Sequence, residues 1–354
     1  MSPPDFNQPF VVGRIQTPVG PVPQVSANLR FGDHQGTVKA RFGIGRMSYK
    51  ADPGLYALGA PDGLSPVLVT SNYKLTFDSL RSALPGRNLW ILVVDTDGVN
   101  VWCSAGKGSF SAEEVAFRID LGGLNRIVNH RRVILPQLSA PGVASHTLKK
   151  LSGFRAVFGP VQAADIPKFL DSGFKATAEM RKKDFPLWER IELIPIELLS
   201  GVKLGFALIL LFLLASGFSG SGPFFSNILT QWSFVTSIIL CAILAGNIIT
   251  PALLPWVPAK SFSLKGVLVG IMVLAVFSFS IRGRYSSFTT FLADMGPWFL
   301  IAPSLSAYFA MNFTGCSTFT SLSGVKREMK FAAPAMAGAF AIGSIAWFII
   351  PFVQ

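Results

Sequence analysis

The sequence predicts an α/β doubly wound (Rossmann-like) domain followed by an all-α bundle of five transmembrane helices. Three observations carry that reading. First, charge is unevenly spread: residues 1–200 hold 23 Lys/Arg and 17 Asp/Glu, whereas residues 201–354 hold 8 and 2. Half of the residues are apolar and only 14% are charged, so the split sets a soluble domain before a membrane domain. Second, from residue 66 onward short apolar runs alternate with helix patterns, the mark of parallel strands joined by crossover helices. Third, five apolar segments, 202–219, 232–254, 266–281, 296–313 and 331–352, are each near the roughly 20 residues that a bilayer core requires. The expected limits are 1–180 for the first domain, 181–201 for an interfacial connector and 202–354 for the membrane domain.

Residues 1–30 contain Pro3, Pro4, Pro9, Pro18, Pro21 and Pro23 and read as an irregular lead-in. This polar start has no basic-then-apolar signal pattern, so the first domain is expected in the cytoplasm. Gly43-Ile44-Gly45 lacks the third glycine and the following helix of a nucleotide-binding loop. Four strands are expected, over 66–70, 89–94, 132–135 and 155–158. Helices should follow them to about residue 84, then over 112–119, 143–151 and 166–170. Ser111 and Glu114 have the spacing of a reciprocal capping box at the second of these helices. Right-handed crossovers put all four post-strand loops on one edge of the sheet. Asn72, Tyr73, Cys103, Gln137, Pro141, Gly142, Gly159 and Pro160 should gather there. Any one of these loops is ordinary turn chemistry. Four together outline a broad, flat pocket.

Asn100-Val101-Trp102-Cys103-Ser104-Ala105-Gly106-Lys107-Gly108 lies between the second strand and its helix. It presents a thiol at the carboxyl edge of the sheet, where ligands sit in open α/β folds. Gly106 and Gly108 let the backbone approach a flat ligand. Trp102 offers a flat surface and Asn100 a side-chain donor. Lys107 and nearby helix amides favour the thiolate, the form that binds soft metals. A lone cysteine beside a tryptophan is by itself usually core filling.

The nine residues together resemble the cobalamin-facing segment of the mercury-methylating corrinoid proteins (the HgcA family). That pattern is Asn-(Val/Ile)-Trp-Cys-Ala-(Ala/Gly)-Gly-Lys, and the chain departs from it only at Ser104. The resemblance extends to Ser71-Asn72-Tyr73-Lys74-Leu75, to Ile134-Leu135-Pro136-Gln137-Leu138 with Ala140-Pro141-Gly142-Val143, and to Phe158-Gly159-Pro160-Val161. Lys175-Ala176-Thr177-Ala178-Glu179-Met180-Arg181 is also similar to the family. The family is related to the corrinoid domain of the acetyl-CoA-pathway corrinoid iron–sulfur protein. The resemblance implies a corrinoid cofactor (cobalamin or methylcobalamin) with Cys103 as the catalytic residue and the lower axial ligand of cobalt. It also implies a cofactor surface made of Asn72, Tyr73, the segment from Asn100 to Gly108, Gln137, Leu138, Ala140, Pro141, Gly142, Val143, Gly159 and Pro160. Histidine offers no competing ligand, because Asp33-His34-Gln35-Gly36 has the wrong spacing for an Asp-x-His-x-x-Gly motif. His130 and His146 read as surface or packing residues.

The implied activity is methyl transfer from protein-bound methylcobalamin to inorganic Hg(II), giving methylmercury. Hg(II) is an electrophile and takes the methyl as a carbanion or radical equivalent, which a thiolate below cobalt favours. The oxidised cobalt must then be reduced. With three cysteines and no CxxC spacing, the chain shows no iron–sulfur site of its own. The expected partners are therefore a ferredoxin-like 4Fe–4S electron donor of the HgcB type and a methyl donor protein or methylated folate. Membrane lipid is a further partner, and nucleic acid is not, because no clustered basic face carries aromatic platforms. The alternatives are a membrane-anchored methyl carrier of one-carbon metabolism and a non-catalytic corrinoid-sensing receptor.

In the apolar half, loop charge sets orientation. Lys182, Lys183, Arg190, Lys203, Lys260, Lys265, Lys326, Arg327 and Lys330 fall on one side, and Arg282 and Arg284 on the other. This places the protein in the cytoplasmic (inner) membrane as a multi-pass chain with the N-terminal domain inside and the C-terminus outside. The polar loop 312–325 also resembles the family, and Cys316 within it is a weak candidate for metal handling. Cys241 reads as packing.

Overall fold

The computed structural model describes residues 4–219, 222–316 and 322–353. The chain forms two compact units, Met1–Lys183 and Asp184–Gln354. The first is built on a seven-stranded sheet of order β1-β2-β3-β5-β4-β6-β7. Its strands are β1 Val11–Thr17, β2 Gly20–Val25, β3 Gly54–Leu58, β4 Val67–Ser71, β5 Leu89–Val94, β6 Arg132–Leu135 and β7 Arg155–Phe158. The four expected strands are β4 to β7, and they are mutually parallel. All five residues of β4 and all six of β5 are buried, which is why they read as continuous apolar runs.

The helices of this unit are α1 Phe31–Arg41, α2 Lys74–Ser82, α3 Val101–Lys107, α4 Ala112–Leu121, α5 Leu124–Ile127, α6 Ser145–Ser152 and α7 Ile166–Asp171. One sheet face packs on α3 to α6 through Val69, Trp90, Leu92, Val101, Ala105, Val115, Ile119 and Leu148. The other packs on α2 and α7 through Leu68, Ile91, Val93, Phe77, Leu80 and Phe169. Because the connections after adjacent β4 and β5 leave to opposite faces, their carboxyl ends flank a crevice, the ligand position of doubly wound sheets.

Three elements differ from expectation. The supposed irregular lead-in contains the β1–β2 hairpin. Pro21 and Pro23 are tolerated because β3 pairs with β2 only at Gln24 and Val25, leaving the proline part of β2 as an edge. β3 runs antiparallel to β5 and extends the parallel core sideways. α1 buries only Asp33 and Ala40, so it has no apolar stripe to announce it. It is held instead by ion pairs from Asp33 to Lys74 at 2.8 Å and to Arg81 at 2.8 Å, both cations also bonding Asp78.

The second unit comprises α8 Leu187–Gly217, α9 Phe224–Ile243 continuing through a π-helical segment Leu244–Ile249 into α10 Thr250–Ala252, α11 Phe262–Ile281, α12 Phe288–Met295, α13 Trp298–Asn312 and α14 Leu322–Ile349. Four stretches, Leu187–Gly217, Phe224–Ala252, Phe262–Arg284 and Ser323–Phe352, are long and apolar enough to cross a membrane. The fifth expected segment, 296–313, is the 15-residue α13, about 22 Å long, against about 30 Å of bilayer core. Gly296 and Pro297 separate it from α12. Even so α13 runs along the bundle from end to end. Trp298 packs with Phe212 and Trp347, and Phe313, just beyond its other end, with Phe262 and Leu254. Its path is antiparallel to α11: a Cβ on Gly266 would lie 2.6 Å from Ala307 Cα, and one on Gly270 3.0 Å from Pro303 Cα. This small-residue seam brings the two backbones together, and Ser306 Oγ donates to the Gly266 carbonyl at 2.8 Å across it. The Cys316 side chain and residues 317–321 of the polar loop lie outside the described residues.

Candidate functional site

The parallel strands deliver their carboxyl ends at Ser71, Val94, Leu135 and Phe158, and the expected site residues follow each of them. Asn72 is fully buried after β4. Its side-chain amide donates to Asp95 Oδ1 at 2.8 Å, and its Oδ1 accepts from Thr96 Oγ1 at 2.8 Å and the Gly98 amide at 3.0 Å. It therefore ties β4 to the loop after β5 and has no free face for a ligand. Asp97 in that loop holds a left-handed φ of 55°, a conformation that Asp tolerates better than most residues. Tyr73, the N-cap of α2, is buried, which raises its phenol above the usual range.

The expected loop around Cys103 is helical. Asn100 is the N-cap of α3, and its side-chain oxygen accepts from the Cys103 amide at 2.9 Å, so the expected donor role falls to its amide nitrogen. Cys103 is half-buried in the first turn of this helix, on the carboxyl edge of the sheet. Ser104 lies on the inner face of the helix. It is fully buried, and its Oγ donates to the carbonyls of Asn100 at 2.6 Å and Val101 at 3.0 Å. Val101 and Ala105 belong to the core, whereas Trp102 is half-buried and Gly106, Lys107 and Gly108 are exposed. Gly108 ends α3 with a left-handed φ of 88°, so its role is helix termination.

Ser111 caps α4 by accepting from the Glu114 amide at 3.2 Å. The expected return bond is absent: Glu114 Oε1 accepts from the Asp95 amide at 3.1 Å and from Arg118 Nε at 2.6 Å. Glu114 thus braces the loop that leads to Cys103.

After β6, Gln137, Leu138, Ala140, Pro141, Gly142 and Val143 split into two roles. Gln137 and Leu138 are half-buried and Ala140 and Pro141 exposed beside α3, while Val143 is core. Gly142 is the tightest point. A Cβ there would fall on the Phe110 carbonyl oxygen and within 3.0 Å of Ala105 Cα, so the glycine lets this loop press against the Cys103 helix. Gly159 and Pro160, buried after β7, complete the edge, with the Gln137 amide donating to the Pro160 carbonyl at 3.4 Å. The segment 175–181 is held there too: the Val161 amide donates to the Met180 carbonyl at 2.8 Å, and Arg181 donates to Gln137 Oε1 at 3.4 Å.

His130 bonds the Ser65 carbonyl through Nε2 at 3.0 Å, at the opposite edge, and His146 is exposed on α6. Sequence reasoning missed Asp95, Thr96 and Arg118, and read Glu114 only as a helix cap. The turn-forming run Asp95-Thr96-Asp97-Gly98 was the available signal.

Residues 42–170 match the CO dehydrogenase/acetyl-CoA synthase delta subunit family. The match takes in β3 to β7, Cys103 and every loop of the carboxyl edge, and leaves out the β1–β2 hairpin and the whole helical unit. Curated relatives agree. The acetyl-CoA decarbonylase/synthase complex subunit gamma of Methanopyrus kandleri is 32% identical over 128 residues, 36% of this chain and 27% of its own length. That of Methanocaldococcus jannaschii is 32% identical over 142 residues, 39% of this chain and 29% of its own. The corrinoid/iron-sulfur protein large subunit of Moorella thermoacetica is 33% identical over 117 residues, 32% and 26% of the two chains. The chain thus spans under a third of the length of these relatives. The α/β unit is similar, over residues 42–170, to subunits of acetyl-CoA-synthase type, and the family match does not extend into the helical unit.

Proposed function

We propose that this chain is a membrane-anchored corrinoid methyltransferase in which Cys103 is the lower axial ligand of cobalt and inorganic Hg(II) accepts the methyl group. The observation that carries the reading is the seat of Cys103: half-buried, in the first turn of a capped helix, at the crevice edge of a domain whose relatives include a named corrinoid protein. The donor set fits a corrinoid. Among the described residues no three His, Cys, Asp or Glu converge to hold a free ion. A single soft donor suits a metal whose other positions a macrocycle fills. The exposed Gly106, Gly108, Ala140 and Pro141 leave the surface around it without bulk.

When bound, the corrinoid supplies a cobalt–carbon bond from which a methyl group can leave. The residues of the chain do the rest. Asn100 fixes the turn that aims the Cys103 sulfur, and Gly142 seats the neighbouring loop against the same helix. Asn72 and Glu114 hold the loop after β5 in place. The Cys103 sulfur would be the soft donor that holds the corrinoid, and its electron density would suit transfer of the methyl group to an electrophile such as Hg(II). The motif from Asn100 to Lys107 supports mercury as acceptor. A second reading, a methyl carrier of one-carbon metabolism, is supported by the acetyl-CoA decarbonylase/synthase relatives and differs in the acceptor, a nucleophile that takes the methyl group without its electron pair. Both readings call for a methyl donor protein or methylated folate, and transfer to Hg(II) calls in addition for a ferredoxin-like electron donor. In the membrane the chain makes five passes, with its α/β unit in the cytoplasm.

The test is Cys103 itself. Cys103→Ala should leave a folded protein that still takes up cobalamin but loses methylmercury formation from methylcobalamin, a reductant and Hg(II). Loss of packing alone would cost about 1 kcal/mol and leave the activity of the folded fraction intact. Cys103→Thr keeps the shape without a soft ligand and should behave the same way. Cys103→His should give a coloured, corrinoid-loaded protein with little methylmercury. Near-normal methylmercury yield from folded Cys103→Ala would overturn cobalt ligation by this residue. A protein that passes the methyl to a thiol or folate acceptor and never to Hg(II) would favour the carrier.

A further inference from the structure

We propose that the knuckle formed by residues 39–50 is the docking surface for a small acidic iron–sulfur electron-carrier protein, an assignment that rests on the corrinoid reading above. This stretch joins α1 to β3 and folds on two left-handed glycines, Gly43 with φ 72° and Gly45 with φ 62°. The Ile44 amide donates to the Lys39 carbonyl at 2.8 Å and the Ser48 amide to the Gly45 carbonyl at 3.1 Å, so its shape is preformed. It carries three large apolar side chains in water: Phe42 is 44% exposed, Ile44 64% and Met47 60%. Around them stand Lys39, Arg41, Arg46 and Lys50, and residues 34–51 contain no Asp or Glu. An apolar centre in a stretch whose charges are all basic has the anatomy of a protein interface, and these four cations outnumber the exposed Asp97 of the neighbouring loop, so they steer an acidic partner.

Its position selects that partner. The Lys74 amide donates to the Tyr49 carbonyl at 3.1 Å and the Ala51 amide to the Asn72 carbonyl at 2.9 Å. The Arg46 guanidinium lies over the Tyr73 ring at 5.6 Å. A Cβ on Gly98 would sit 2.8 Å from the Met47 carbonyl oxygen, so the knuckle abuts the very loop that enters the Cys103 helix. A protein docked here stands beside the site that it has to reduce.

The experiment uses the full chain in phosphatidylcholine nanodiscs and an acidic ferredoxin with two 4Fe–4S clusters, with binding read by interferometry at low and high salt. Wild type should bind, more weakly at high salt. Ile44→Asp with Met47→Asp should weaken binding by about tenfold or more. Ile44→Ala with Met47→Ala should weaken it less, in the same direction. Uptake of cyanocobalamin, read optically, should be unchanged in all of them. Absence of ferredoxin binding by wild type, or equal binding by the variants, overturns the proposal. So does a variant that keeps ferredoxin binding and instead loses binding to anionic vesicles of phosphatidylserine, which would assign the knuckle to a lipid surface. A wild type that binds ferredoxin and takes up no cobalamin would overturn the corrinoid reading alone.

Discussion

Cys103 and Ser104 are adjacent in the chain but lie on different faces of α3, one half-buried and the other fully buried, because successive residues of a helix are turned by about 100°. The serine, where the resembling family has alanine, therefore sets its hydroxyl into its own helix turn and away from the thiol. Ser104→Ala should cost at most about 1 kcal/mol of stability and leave cobalamin uptake unchanged, as thermal unfolding and optical titration would show. Asp33 matters more to the fold. Burial pushes its carboxyl up, but hydrogen bonds from Lys74 and the Arg30 amide, with the Lys74 charge and a bond from Arg81, outweigh burial and hold it at about 2. A depressed carboxyl contributes stability that is present above its ordinary value of 3.8 and is lost as pH falls toward 2. That contribution is about 2 kcal/mol. The protection factors of the α1 and α2 amides, exchange rates taken relative to the unstructured chain at the same pH, should fall as the pH is lowered through that window. Asp33→Asn should lose about 3 kcal/mol at neutral pH, because Lys74 and Arg81 then share only Asp78.

At the scale of elements, α3 is one short helix pinned from three sides. Asn100 caps it, Gly108 stops it, and the loop of Gly142 presses on its buried side. The two glycines should respond differently to alanine. Gly142→Ala meets backbone at Phe110 and Ala105, neither of which yields cheaply, so it should cost about 1–3 kcal/mol and displace the Cys103 helix. Cobalamin affinity should fall with it. Gly108→Ala meets no atom within 4 Å and strains only its φ of 88°, so it should cost about 1 kcal/mol and leave affinity near normal. Equal losses of affinity in the two variants would show that Gly142 has no special part in seating α3.

At the scale of the molecule, the antiparallel run of α8, α9, α11, α13 and α14 sets the two termini of the helical unit at opposite ends. Glu328 near the start of α14 accepts from the Ser263 amide at the start of α11, at 2.6 Å. Gly343 near the other end packs on the first turn of α13. Basic residues Lys260, Lys265, Lys326, Arg327 and Lys330 gather at the first of these ends, and Arg282 and Arg284 at the other. The expected topology is the N-terminus inside and the C-terminus outside. A reporter active only in the cytoplasm should work when fused at Met1 and fail at Gln354. Activity at both ends would show that the short α13 does not complete a crossing.

The sequence alone determined whatever is written in local periodicity and composition: the four parallel strands, their loops on one edge, the division into a charged and an apolar half, and the placement of Cys103 at the carboxyl edge of the sheet. Continuous burial leaves an apolar run in the chain, and a helix beginning leaves a cap, so both can be read without coordinates. Tertiary structure decided what depends on partners distant in sequence. α1 exists through ion pairs to α2, and β2 keeps its prolines because β3 reaches only its last two residues. Gly142, expected at the cofactor surface, makes room for a helix, and Asn72 is spent on a neighbouring loop. A residue's type constrains what it can bond. Only the packed chain decides which of those bonds are already taken, and so which side chains at the edge remain for a cofactor.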